Sequence, residues 1–139
     1  MANRKSKLSF LILHAALLAT VLFASLADAA TLSLAAKNEI ESLLSRLEAS
    51  GCQFYRNGSW HSSGEAQSHL VRKLDYLVGK RAVASAEQFI ERAATKSSIT
   101  GRAYLVKCGS SPPVQSGTWF FSQLQAMRAT SPAPASSPK

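Results

Sequence analysis

The chain has 139 residues, 46% of them aliphatic, aromatic or sulfur-bearing, and carries 16 Lys and Arg against 8 Asp and Glu, a formal charge of +8. That apolar share excludes wholesale disorder, and the length suits one modest domain rather than two. Two cysteines, Cys52 and Cys108, are too far apart to form a Cys-x-x-Cys redox pair.

The first segment reads as an address. Arg4, Lys5 and Lys7 precede an apolar stretch from Leu8 to Leu26, and Ala27-Asp28-Ala29 places small residues where a cleavage site needs them. This is the pattern of a cleavable secretory signal peptide over residues 1–29. The rival is a retained anchor, because the stretch approaches the roughly 20 residues that span a bilayer. Cleavage after Ala29 leaves 13 basic and 7 acidic residues, a net charge of +6. Export to the periplasm would put both cysteines where disulfides persist, and only one pairing is available.

A single domain is expected over residues 30–129. Ala36, Ile40, Leu43, Leu44 and Leu47 recur at helical spacing and predict a helix over Leu34–Ala49, stopped by Gly51. Cys52 to Arg56 is a strand candidate. Asn57-Gly58, whose residues both tolerate positive φ, predicts a tight hairpin turn into a return strand Ser59–His61. Ser62-Ser63-Gly64-Glu65 reads as a capping box that opens a second helix running to about Val78, with Gly79 as its stop. Ser85-Ala86-Glu87-Gln88 opens a third, whose apolar face is Ala86, Phe89, Ile90, Ala93 and Ala94.

Ser97 to Gly101 reads as a turn and Ala103 to Cys108 as a strand. Gly109 to Gly117, with Pro112-Pro113, reads as a loop. Trp119, Phe120, Leu124 and Met127 suggest a last helix, and Thr130–Lys139 a disordered Pro/Ser/Ala tail. Cys52 begins one strand and Cys108 ends another, so antiparallel pairing brings both sulfurs to one end of the sheet. The expected fold is α+β: a small antiparallel sheet, a hairpin plus one strand, packed by three to four helices and stapled by one disulfide.

Chemistry is sparse. His61, Glu65 and His69 are spaced four apart, but the capping box places His61 before the helix and leaves Glu65 and His69 as the only true i,i+4 pair. No nucleophile elbow, Ser-x-x-Lys or phosphate-cradling glycine loop is present. No metal or cofactor is therefore expected. The bases are scattered, and no nucleic-acid motif accompanies them.

Several stretches together resemble the YfeK-like family of small exported bacterial proteins, a domain of unknown function. They are Ser50-Gly51-Cys52-x-Phe54-x-Arg56-Asn57-Gly58; His61, Glu65-Ala66 and His69-Leu70-x-x-Lys73; Ser85-Ala86-Glu87-x-Phe89-Ile90; and Lys96-Ser97-Ser98-x-Thr100-Gly101-x-x-Tyr104. The likeness runs from about Leu34 to Leu124, with Arg102-Ala103 standing where the family pattern reads Lys-Pro. It implies location and domain extent but no activity.

The resemblance also draws attention to Arg56, Asn57, His61, Glu65, His69 and Lys73, together with Ser97 and Ser98. These six are expected to form a small polar ligand-binding site between the hairpin and the flank of the second helix. The alternative is an internal ion-pair network that fixes the hairpin on the helix. The expected function is a non-enzymatic binding or accessory module for an envelope protein or an anionic ligand, with no nucleic acid and no membrane span after cleavage. The competing expectation is a metal-dependent or acid/base envelope hydrolase using His61, Glu65 and His69.

Overall fold

The computed structural model describes residues 31–131. The leader expected over 1–29, and all but the first two residues of the tail expected over 130–139, lie outside them.

Helix α1 spans Leu34–Ala49 and buries the expected stripe of Ala36, Ile40, Leu43, Leu44 and Leu47. Its first turn is closed by Ser33, whose hydroxyl accepts the Ala36 amide at 3.2 Å. Its last is closed by Ser50, whose hydroxyl donates to the Leu47 carbonyl at 2.7 Å. Gly51 then turns the chain away at a φ of 63°. Strands β1 (Gln53–Arg56) and β2 (Ser59–His61) form the hairpin. Asn57 and Gly58 hold φ of 51° and 94°, the left-handed values a two-residue turn of this kind demands.

Helix α2 runs from Ser63 to Gly79 behind a complete capping box. The Ser62 hydroxyl accepts the Glu65 amide, and the Glu65 carboxylate accepts the Ser62 amide at 2.8 Å. Replacing Ser62 with alanine should cost about 1 kcal/mol in urea unfolding, with no change of fold. The expected stop at Gly79 is displaced. The helix includes Gly79, and the reversal is made by Arg81 at a φ of 51°, with the Ala82 amide donating back to Leu77.

Helix α3 (Ala86–Phe89) starts on Ser85 as expected, but Gln88 reaches the Ala84 amide rather than the Ser85 amide that a full capping box would use. It continues as a widened π-type segment, Ile90–Ala94. Two side chains hold that wider turn: the Thr95 hydroxyl donates to the Ile90 carbonyl and the Lys73 ammonium to the Ala93 carbonyl, at 2.8 and 2.7 Å. All five residues of the expected apolar face are buried.

Strand β3 is Leu105–Lys107, shorter than expected because Ala103 pairs only with Lys96 in an isolated bridge. A further strand, β4 (Val114–Gln115), lies inside the stretch expected to be loop. Two residues after Pro112-Pro113 are too few to show alternation, and β4 forms because β3 offers it an edge. The sheet order is β2-β1-β3-β4, antiparallel throughout. Phe54 faces Val106 in the β1–β3 register, and one step beyond its end Cys52 and Cys108 are disulfide-bonded, with Cα atoms 4.3 Å apart.

Helix α4 covers Ser116–Thr130, so it begins inside the expected loop and takes the first residue of the expected tail. Its start is tied by the Ser116 amide donating to the Tyr104 carbonyl at 2.9 Å. Gly117 is required here, because a Cβ would meet the Thr95 hydroxyl at 2.9 Å. Far along α4, Arg128 bonds Glu39 of α1 with two nitrogens and Glu87 of α3 with a third.

The helices cover one face of the sheet. Phe54, Tyr104 and Val106 on that face are buried, and Phe54 meets Trp119 edge-on at a centroid distance of 5.8 Å. Ile40, Leu43, Leu47, Phe89, Ile90, Phe120 and Leu124 complete the core. On the opposite face Tyr55 and Trp60 pack together at 5.3 Å, and Trp60 is exposed. Among the described residues, no helix is long and apolar enough to cross a membrane.

Candidate functional site

Strand alternation decides which polar residues turn inward. Phe54 and Arg56 are two apart on β1 and so share its helix-covered face, and His61 sits directly across from Phe54 on β2. Tyr104 lies two residues before Val106 on the neighbouring β3. On α2, Glu65, Ala66, His69 and Leu70 form one flank at helical spacing. These two surfaces meet around a slot of about 20 Å³ lined by Arg56, His61, Glu65, His69 and Tyr104 over a floor of Phe54, Ala66, Leu70 and Ala94. That volume admits about one water.

Four of the six expected site residues therefore come together: Arg56, His61, Glu65 and His69. The other two do not line the slot. Asn57 is exposed and makes the turn. Lys73, one turn further along α2, is half-buried; it donates to the Ala93 carbonyl and lies 5.4 Å from the centre of the Tyr104 ring. Ser97 is buried and serves its own turn, accepting the Ile99 and Thr100 amides. Tyr104 joins the site without having been singled out for it. Its alternation with Val106 signalled only an inward direction, and the partner helix could not be read from the strand.

His69 is the least satisfied group. Its Nε2 is the one buried side-chain nitrogen or oxygen among the described residues that has no hydrogen-bond partner. Its ring meets Tyr104 edge-on at 6.4 Å. Burial first, then the positive charges of Arg56, Lys73 and Arg72, push its pKa down to about 4. Burial and Arg56 likewise lower Lys73, and burial raises Tyr104. Glu65 does not relieve this. Its hydrogen bonds to the backbone and side chain of Ser62 hold its pKa below the usual carboxylate range, and it makes no ion pair with His69. Arg56 also lacks a carboxylate partner among the described residues.

The slot thus gathers Arg56, His61 and His69, with Lys73 and Arg72 close by, around a single carboxylate, Glu65, that is hydrogen-bonded to Ser62. A depressed histidine pKa has a stability consequence. Between its folded value near 4 and the ordinary value of 6.5, the unfolded chain binds a proton that the folded chain does not. Stability from this group is complete above about pH 6.5 and falls as the pH drops toward 4. The loss should be on the order of 1 kcal/mol, because the half-exposed ring is screened by solvent. Urea unfolding at pH 7 and pH 4.5 should show it, and His69→Gln should remove that share of the slope.

His61, Glu65 and His69 share the slot, which brings together the three residues of the competing hydrolase expectation. Among the described residues, however, no three His, Cys, Asp or Glu side chains gather closely enough to hold a metal ion.

Fold and site together define a disulfide-stapled α+β domain with a partly buried histidine turned into a small slot between the hairpin and α2. The chain belongs to a family of unknown function, DUF5329, whose profile matches residues 34–128, from the first turn of α1 into the last turns of α4. It is similar to the uncharacterized protein YfeK of Salmonella typhimurium strain LT2, at 47% identity over 51 residues, 37% of this chain. The match spans 41% of the length of that relative. No solved structure matches the chain.

Proposed function

We propose that the protein is an exported, periplasmic binding or accessory module that holds an anionic group, on a ligand or on an envelope partner, at the slot between the hairpin and α2. The observation that carries this is the pairing of an Arg56 that lacks a carboxylate partner with the unsatisfied Nε2 of His69. Buried polar groups in folded proteins are nearly always bonded, so an orphaned Nε2 close to a cation without an ion-pair partner supports the holding of a polar, negatively charged group there. Export is supported by the leader pattern of residues 1–29 and fits the Cys52–Cys108 bridge.

The test is thermal unfolding of the purified protein in acetate, phosphate, sulfate and chloride at one ionic strength. An anion that binds the folded state raises the midpoint. The reading expects one or more of these anions to raise it above chloride, and Arg56→Gln to abolish the difference. Equal midpoints in all four salts contradict it. Cell fractionation of the tagged full-length chain tests export: the periplasmic form should begin at Ala30, and a wholly cytoplasmic, full-mass product contradicts it.

The hydrolase reading keeps one observation in its favour, the convergence of His61, Glu65 and His69 on one slot. Against it, the slot admits only a water-sized group, and a base with a pKa near 4 draws protons weakly at neutral pH.

A further inference from the structure

We infer that the protein has a second binding site, a groove between α2 and the wide turn that follows α3, and that it takes a phosphate monoester with an apolar or aromatic body. The groove measures about 290 Å³ and lies further along α2 than the slot. It has room for a phosphate and a small organic group, where the slot has room for one water. His69 lines both, and the two share no other lining residue, so this site does not rest on the reading of the slot.

Charge carries the argument. Arg72 and Lys73 from α2 and Arg92 from the wide turn line the groove, and among the described residues no carboxylate lines it. None of the three forms an ion pair among the described residues. Two of them are anchored by the backbone: Lys73 donates to the Ala93 carbonyl and Arg92 to the Ala82 carbonyl. An ammonium has three donors and a guanidinium five, so each keeps donors free for a ligand. Cations fixed before binding lose little freedom when they take an anion. Burial and Arg56 both act against the charge on Lys73, and an anion in the groove offsets them. Ser98, which has no part in the slot, adds a hydroxyl to the same lining. Arg92 itself belongs to a π-type turn, a geometry that recurs at functional sites.

A phosphate monoester suits this donor set better than a carboxylate. It carries close to two negative charges at neutral pH and three acceptor oxygens, and arginine meets it with paired hydrogen bonds. The rest of the lining favours carbon. Leu77 and the ring of Tyr76, which is 65% exposed, form an apolar wall beside the cations. The body of the ester can cover that wall, whereas free phosphate has nothing to place on it.

The test is isothermal titration calorimetry at pH 7 in chloride, on oxidised protein purified from the full-length gene. The probes are phenyl phosphate, phenylacetate and inorganic phosphate. Phenyl phosphate should bind saturably and about tenfold or more tighter than either of the others. Arg72→Gln and Arg92→Gln should each weaken it about tenfold, and Tyr76→Ala about threefold. Arg56→Gln should leave it within about threefold, because Arg56 lines the slot and not the groove and its longer-range field is screened by salt. Vesicles of phosphatidylcholine with and without phosphatidic acid separate the sources of the ester. Sedimentation with the phosphatidic acid vesicles alone, lost in Arg72→Gln, assigns a lipid headgroup, and its absence assigns a soluble ester. Phenyl phosphate that fails to bind, or binds no better than phenylacetate or inorganic phosphate, overturns the inference. So does binding that Arg72→Gln leaves unchanged, or that Arg56→Gln alone abolishes. Arg72 is exposed, so its variant is the one least exposed to a folding defect, and each variant is checked by its retained disulfide and far-ultraviolet circular dichroism.

Discussion

Replacing Cys52 and Cys108 together with alanine is expected to lower the unfolding free energy by about 4 kcal/mol, the chain-entropy value for a loop of this size. The bridge joins residues 56 apart in sequence and closes a loop containing β1, β2, α2, α3 and β3. In the unfolded state it therefore restrains over half of the described chain. A domain of this size has only about 5–15 kcal/mol of stability in total, so the loss is a large share of it. The bridge does not depend on backbone distortion to form, since β1 and β3 already bring the two Cα atoms together by their register. Urea unfolding of the oxidised wild type and the double variant measures the difference. Equal midpoints would show that the loop is restrained by other means.

Phe89→Ala should cost about 3–5 kcal/mol, the range for deleting a fully buried ring that leaves a cavity behind. Phe89 is wholly shielded from solvent at the junction where α3 widens into the π-type segment, among Val83, Ala86, Ile90 and Ala93 of the core. That segment is held open by Lys73 and Thr95 through bonds to backbone carbonyls, so its walls are fixed and should collapse little. Urea unfolding should place the variant near the edge of stability. Tyr76→Ala, on the exposed flank of α2, should change stability by no more than about 0.5 kcal/mol and serves as the comparison.

The two faces of the molecule differ in how far their residues announce them. Helices declare themselves by period and caps: the stripe Ile40–Leu43–Leu44–Leu47 and the pair Ser62/Glu65 set α1 and the start of α2 where the residues place them. The hairpin is equally local, because Asn57-Gly58 specifies its own turn. What depends on a distant partner is hidden. Strand β4 needs the edge of β3. The wide turn at Ile90–Ala94 keeps the helical apolar pattern and reveals its extra residue only through the Lys73 bond to Ala93. Lys73 is expected from the residues to belong to the ligand-binding set, but its ammonium serves a carbonyl twenty residues away.

The candidate site divides along the same line. Arg56, His61, Glu65 and His69 could be selected as polar residues near a hairpin and a helix start. Their convergence depends on β1 and α2 packing face to face, which no local pattern encodes. Tyr104 joins them because β3 lies beside β1. The unsatisfied Nε2 of His69 is a property of packing alone. A structural ion-pair network would give Arg56 a carboxylate, whereas Glu65, the acid on the slot, is bound to Ser62 and no ion pair of Arg56 is found among the described residues.

That distinction sets the most direct test. Arg56 disfavours positive charge on His69 and Lys73, and no acidic partner among the described residues compensates it. A residue kept for binding at the expense of stability should be removable without loss of stability. Urea unfolding of Arg56→Gln at pH 6 in chloride, without other anions, should give a stability equal to or above that of the wild type, together with a higher His69 pKa. A loss of more than about 1 kcal/mol, the worth of an ordinary internal hydrogen bond, would show that Arg56 holds the hairpin on the helix and would contradict the account.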